Sequence, residues 1–262
     1  MTTWTIASAV HVLLDAENRR QDIDPLSDSW ADFTLETAYE VQDETLARRL
    51  MRGEHITGVK LGLTSRAKQF RMGVDTPLTA WLTDAMVLPT GDQVPLGRLI
   101  HPRVEPEIVF VMGEELRGPG VTAGRALAAV HSVQAGLEVI DSRYRDFRFT
   151  LPDVVADNAS SGFVVTGSIA LSPQDLDLAL EACVLEVDGQ VVHTATGAAV
   201  QGHPAESLAL AANSLAARGV AIQPGWLVFT GGMTDAVPIR EYGHVTASFT
   251  SLGTLALGAH AD

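Results

Sequence analysis

Glu105 and Glu107 stand two residues apart in VEPEIVF (104–110), inside an otherwise apolar run. In a strand, residues i and i+2 share a face, so both carboxylates point one way and Val104 and Pro106 the other. A third acid, Glu138, sits in LEVID between Leu137 and Val139. Buried carboxylates without a counter-charge are costly, and three together repel one another. Two arrangements would neutralise them. One is a divalent cation, for which an all-oxygen ligand set favours Mg2+ or Mn2+ over Zn2+. The other is a set of ion pairs with Arg103 and other basic residues on a solvated face. Pro106 has no N–H for a ladder and predicts an edge strand or a bulge.

Lys60 lies in GVKLG, a lone cation in an apolar, glycine-flanked strand. It reads either as a desolvated ammonium meeting an anion or as an edge lysine whose head reaches solvent. The stretch DSRYRDFRF (141–149) carries Arg143, Arg145 and Arg148, and DVVADNASSG (153–162) has the composition of an Asx/Ser turn. His101, His193 and His203 are scattered and read as structural or capping residues.

These groups need elements to hold them. Apolar spacing predicts helices over 5–20, 34–52, 122–136 and 204–218, the last with Pro204 in its first turn. Strands are predicted at 56–64, 104–112, 161–171, 181–196, 225–232 and 244–257, with a hairpin turn at Asp188-Gly189. This is not βαβ alternation. It predicts mixed or antiparallel sheets with a few helices, preceded by a small helical region. GGM (231–233) and GLTS (62–65) are too short to be phosphate loops.

The bulk numbers set limits. A chain of 262 residues, 46% hydrophobic, can bury a sizeable core. The formal charge of −14 argues against nucleic acid and requires local positive charge if the ligand is an anion. Cys183 is the only cysteine, which excludes an intrachain disulfide and a thiolate metal cluster. No apolar run approaches the ~18–20 residues of a membrane span, and the N-terminus lacks the basic region of an export signal. A cytoplasmic protein is the expectation.

Seven segments in order, GVKLGLTSRA, GVDTP, IHPRVEPEIVFV, LEVIDSRYRDFRF, DVVADNASSGFVV, GHPAESLALAANSLAARG and PGWLVFTGGMTDAVPI, resemble the 2-oxopent-4-enoate hydratase / 4-oxalocrotonate decarboxylase family. That family belongs to the fumarylacetoacetate hydrolase superfamily. The resemblance runs from about residue 35 to the C-terminus. It implies an α+β fold, a mixed β-sheet roll or sandwich, with an N-terminal helical and mixed region (1–78) and a catalytic domain (79–262). It places metal ligands for Mg2+ or Mn2+ on Glu105, Glu107 and Glu138 and the active-site lysine on Lys60. It also implies substrate-binding roles for Ser65, Arg66, Leu78, Asp157 and Ser160.

Hydratases of the family carry an aspartate where this chain has Leu78, and a leucine cannot take a proton from water. GHP (202–204) and GGMTDAVP (231–238) also resemble the decarboxylase branch, whereas IREYGHV (239–245) departs from the usual Pro-Gly-Asp turn. The implied reaction is decarboxylation of the dicarboxylate 2-oxohex-3-enedioate in aromatic meta-cleavage catabolism. The alternatives are hydration of 2-hydroxypenta-2,4-dienoate and a non-catalytic role stabilising a hydratase. The resemblance further implies a homo-oligomer in complex with a hydratase.

Overall fold

The computed structural model describes residues 4–65, 69–70 and 77–260. Two helices come first, α1 (Ile6–Arg19) and α2 (Leu35–Met51). Each starts where a threonine hydroxyl accepts a backbone N–H of the first turn, Thr5 from Ser8 and Thr34 from Thr37. Strands β1 (Ile56–Gly62) and β2 (Leu78–Thr83) then enter a seven-stranded sheet. It is completed by β4 (Arg103–Met112), β5 (Val130–Ile140), β6 (Ser161–Thr166), β9 (Leu227–Phe229) and β10 (Val237–Pro238). The order is β2-β1-β9-β4-β5-β6, with β10 also on β4. A five-stranded sheet holds β3 (Val94–Pro95), β7 (Ala182–Val187), β8 (Gln190–Thr196), β11 (His244–Phe249) and β12 (Gly253–His260). Helices further along the chain include α3 (Ala123–Ala128), α4 (Leu151–Ala156) and α5 (Pro204–Ala217).

The two faces of the large sheet differ in kind. One carries Val59, Leu61, Val104, Ile108, Phe110, Leu137 and Val165 into the main core, shared with the small sheet and with α5. The other carries Lys60 and the glutamates and is roofed by the helical region. There Val10, Leu13 and Leu14 of α1 and Val41 of α2 pack with α4, Leu78, Ala80 and Ala159. β1 and the start of β2 lie before residue 79, yet their pairing makes them strands of the large sheet.

Several expectations need correcting. The helix expected over 122–136 stops at Ala128, and Val130–Ile140 is a central strand paired on both sides. This strand follows directly on the alanine-rich stretch 123–129 and its apolar spacing mimics a helix, but two-sided pairing in the sheet decides. The strand expected over 244–257 is a hairpin, β11 and β12, turning before Gly253 at φ +79°. Pro106 lies in an interior strand, not at an edge or bulge. Its carbonyl accepts from Met233 N at 2.9 Å, in the gap between β9 and β10, and a strand residue's N and C=O point to the same side. The missing N–H therefore faces that interruption and costs no ladder bond. The Asp188-Gly189 turn is found, with φ +49° and +76°.

Candidate metal and substrate site

The register of β4 and β5 builds the acidic cluster. Glu105 lies opposite Glu138, and Glu107 lies opposite Gly136. Directly opposed residues share a face, so the three carboxylates converge, each offering an oxygen within 4.8 Å of the others. All three side chains are buried. Gly136 leaves the room that Val109 and Phe229 need beside the acids, since a Cβ there would sit 2.4 Å from Val109 Cγ2 and 2.8 Å from Phe229.

The same face continues through Phe229, which pairs with both Val109 and Lys60, to β1 and β2. Lys60 is 2% exposed, so it does not reach solvent as an edge lysine would. Its Nζ lies 2.6 Å from Glu138 Oε1 and donates to the Ala159 carbonyl at 2.7 Å. Lys60 opposes Ala80 and Gly62 opposes Leu78, so Leu78, itself 2% exposed, shares Lys60's face.

Among the described residues, the Lys60 ammonium is the cation that acts on Glu107 and Glu138. Burial pushes the Glu107 carboxyl well above its ordinary range, and the charges of Glu138 and Glu105 push it further. Burial likewise raises Glu138, against the pull of Lys60. Among the described residues, Glu107 Oε1 and Glu138 Oε2 have no hydrogen-bond partner. Oxygen donors crowded, buried and in part unsatisfied are what a hard divalent cation requires, so the residues fit Mg2+ or Mn2+.

The GGM segment, unexplained as a phosphate loop, proves to be the wall of this site. Gly231 N donates to Glu107 Oε2 at 2.7 Å. Its φ of +111° suits glycine, and a Cβ there would meet Thr64 Oγ1 at 2.0 Å. A Cβ on Gly232 would lie 2.0 Å from Glu105 Oε2. The double glycine therefore lets backbone press directly against two of the acids. Sequence reading noted the pair but had no way to see which side chains it faced.

The DNASSG segment is more than an ordinary turn. Asn158, Ala159 and Ser160 have φ of +47°, +53° and +57°, three consecutive non-glycine residues in left-handed conformation. This costs roughly 1–2 kcal/mol per residue and must be held by its surroundings. The Asn158 side chain pairs with the Trp81 backbone, accepting its N–H at 2.8 Å and donating to its carbonyl at 2.9 Å. Arg143, 5% exposed, forms an ion pair with Asp157 and donates to the Asp157 carbonyl at 2.6 Å and the Ser161 carbonyl at 2.9 Å. The strained turn aims the Ala159 carbonyl at Lys60.

The other expected residues fall as follows. Asp157 is buried in its ion pair with Arg143, and burial pushes its carboxyl up to about 6. Ser160 Oγ lies 3.4 Å from Asp157 Oδ2. Ser65 follows β1, its carbonyl accepting from Gln69 N at 2.9 Å. Arg66 lies outside the described residues. His203 caps α5, its Nδ1 accepting from Ala205 N at 3.0 Å.

Solved structures place this architecture. Fumarylpyruvate hydrolase from Pseudomonas aeruginosa, solved with Mn2+ and pyruvate, superposes with a TM-score of 0.62 over 79% of this chain and 90% of its own, at 18% identity. That likeness shows a fold of the fumarylacetoacetate hydrolase type. No family model matches the chain. The 4-oxalocrotonate decarboxylase of Pseudomonas sp. strain CF600 is 44% identical over 94% of this chain and 93% of its own. A 2-hydroxypent-2,4-dienoate hydratase of Pseudomonas putida is 41% identical over 80% of this chain and 95% of its own. The 4-oxalocrotonate decarboxylase from Pseudomonas putida G7, solved with magnesium and adipate, superposes with a TM-score of 0.94 at 40% identity, covering 99% of this chain and 100% of that one. The chain belongs to the 4-oxalocrotonate decarboxylase and hydratase family of the fumarylacetoacetate hydrolase superfamily.

Proposed function

We propose that the protein is a Mg2+- or Mn2+-dependent carbon–carbon lyase that decarboxylates 2-oxohex-3-enedioate (4-oxalocrotonate) to 2-hydroxypenta-2,4-dienoate and CO2. Glu105, Glu107 and Glu138 would hold the cation. When bound, it supplies a Lewis acid for the oxygen that gains charge as CO2 leaves. In the reaction the C5–C6 bond breaks, its electron pair enters the C4–C5 bond, the conjugated system carries the charge to the C2 oxygen, and that oxygen takes a proton from solvent to give the hydroxyl.

The chain's own groups then have defined tasks. Lys60 has three N–H donors, and two are directed at Glu138 and Ala159. The third is available to the substrate's carboxylate or to the C2 oxygen, where a fixed positive charge favours the developing anion. Leu78 keeps water from the face beside Lys60 and leaves the departing carboxylate poorly solvated. Ser65, Arg66 and Ser160 would bind the substrate. Asp157 we assign to the same region, acting through Arg143 and the turn.

Leu78 carries the choice of reaction. It is a buried apolar residue on the lysine's face, where water addition would need a proton acceptor. The hydratase relative supports a second reading, water addition to 2-hydroxypenta-2,4-dienoate at the same site. Purified protein with Mg2+ separates the two: CO2 release from the dienedioate is expected, and loss of dienoate absorbance without CO2 would establish the hydratase. No turnover of either substrate would leave the third role, a stabilising partner of a hydratase. We further propose a cytoplasmic homo-oligomer that associates with the hydratase acting on its product. No helix among the described residues is long and apolar enough to cross a membrane.

A further inference from the structure

A second cavity lies apart from the metal site, where the C-terminal ends of α1 and α2 meet the start of β6. It holds about 220 Å³, and none of the three glutamates, Lys60 or Leu78 lines it. Four arginines line it, Arg20, Arg49, Arg98 and Arg143, against two acids, Glu17 and Asp141. Across the chain 18 basic side chains face 32 acidic ones, so the balance is reversed here.

The acids are already engaged. Glu17 accepts from Arg49 Nη2 at 2.5 and 2.7 Å. Asp141 accepts the backbone N–H of Ile100 at 3.0 Å and that of His101 at 2.8 Å. Arg143 is committed to Asp157 and to two carbonyls. Arg20 and Arg98 remain, and neither forms an ion pair with a described acid. Arg20 caps α1 in left-handed conformation, and its Nη1 donates to the Gly97 carbonyl at 2.7 Å. That bond brings its guanidinium to the residue before Arg98. The Arg98 guanidinium lies 4.9 Å from the centre of the Phe163 ring, which lines the same cavity and holds the charge in place. Each guanidinium has five N–H donors. Among the described residues Arg20 uses one of them and Arg98 none. Two neighbouring cations with free donors call for an anion, and two planar forks match an oxyanion with more than two oxygens.

We propose that this cavity binds a phosphate group between Arg20 and Arg98, at a site separate from the metal centre. Arg20 ends α1, and Arg98 belongs to the segment joining β3 to β4. A shared anion therefore ties the helical roof to the segment that links the two sheets. An anion that needs both arginines binds the folded chain alone and stabilises it.

The test is calorimetric titration of the full-length, Mg2+-loaded protein with inorganic phosphate, paired with thermal unfolding in phosphate and in chloride of equal ionic strength. Phosphate at about ten times its Kd should raise the parental midpoint by at least about 2 °C over chloride. Arg20→Gln and Arg98→Gln should each weaken phosphate by about tenfold or more, and Arg98→Lys should recover part of the loss. Both side chains are exposed, so the variants' midpoints in chloride should match the parent's. Glu105→Gln, which lacks a metal ligand, should keep the phosphate affinity, because the anion is not on the cation. Tighter binding of glycerol 3-phosphate than of the free ion would assign the site to a small phosphate ester, and weaker binding to inorganic phosphate. Parental phosphate affinity in either arginine-to-glutamine variant, a midpoint rise that chloride reproduces, or loss of phosphate binding in Glu105→Gln overturns the assignment.

Discussion

Glu107 is where function and stability oppose each other most directly. It is fully buried beside two other acids, and its carboxyl is held well above the ordinary range by burial first and then by those charges. The native state therefore keeps a proton that the unfolded chain has lost. Stability from this group is present below the unfolded pKa and is lost as pH rises toward the native value. Without metal, the thermal midpoint should fall as pH climbs above about 5. Glu107→Gln should flatten that slope and, by removing a buried charge, raise the metal-free midpoint at pH 8 by at least about 2 °C. The same variant should lose turnover. Cation and protons compete for the same oxygens, so Mg2+ affinity should tighten with pH and binding should release protons, read by calorimetry in buffers of different ionisation enthalpy. A pH-independent affinity would contradict the proton assigned to Glu107.

The elements explain why few residues suffice. Two adjacent strands in one register bring the acids together, and two loops finish the site. Gly232 is the glycine pressed against a carboxylate, where a single methyl would take the space of Glu105 Oε2. Gly232→Ala should weaken Mg2+ binding by about 10- to 100-fold while the sheet still folds; parental affinity would show that the carboxylate has room to move. Arg143→Lys keeps the charge but loses the fork that clamps Asp157 and Ser161. It should cut kcat by about tenfold or more with Mg2+ affinity unchanged, because the clamp acts through the Ala159 carbonyl on Lys60. Much of this was legible in advance. Period-two spacing put Glu105 and Glu107 on one face, and the segment order placed Glu138 and Lys60 with them. What the chain did not reveal came from contacts distant in sequence. The start of β5 read as part of a helix because it continues the alanine-rich stretch 123–129, and only pairing with β4 and β6 decides it. The left-handed turn at Asn158–Ser160 hid in an ordinary Asx/Ser composition, since what sustains it is Trp81 and Arg143.

At the scale of the molecule, one sheet serves two masters. Its aliphatic face closes a core with the second sheet and α5, and its charged face is covered by the N-terminal helices. The acids thus sit on a floor of sheet under a roof of helices, and in a strongly acidic chain the proposed anionic substrate would rely on Lys60 and on a cation held by the acids. A cation that binds only the folded site should stabilise the whole chain, by about 2.7 kcal/mol at a free concentration 100 times its Kd. The same addition to Glu105→Gln should shift the midpoint little. The most direct test of the account is anomalous diffraction from crystals grown with manganese. It should show one peak bounded by oxygens of Glu105, Glu107 and Glu138, with Lys60 still on Glu138. A manganese peak elsewhere, with the three acids turned to arginines or solvent, would contradict it.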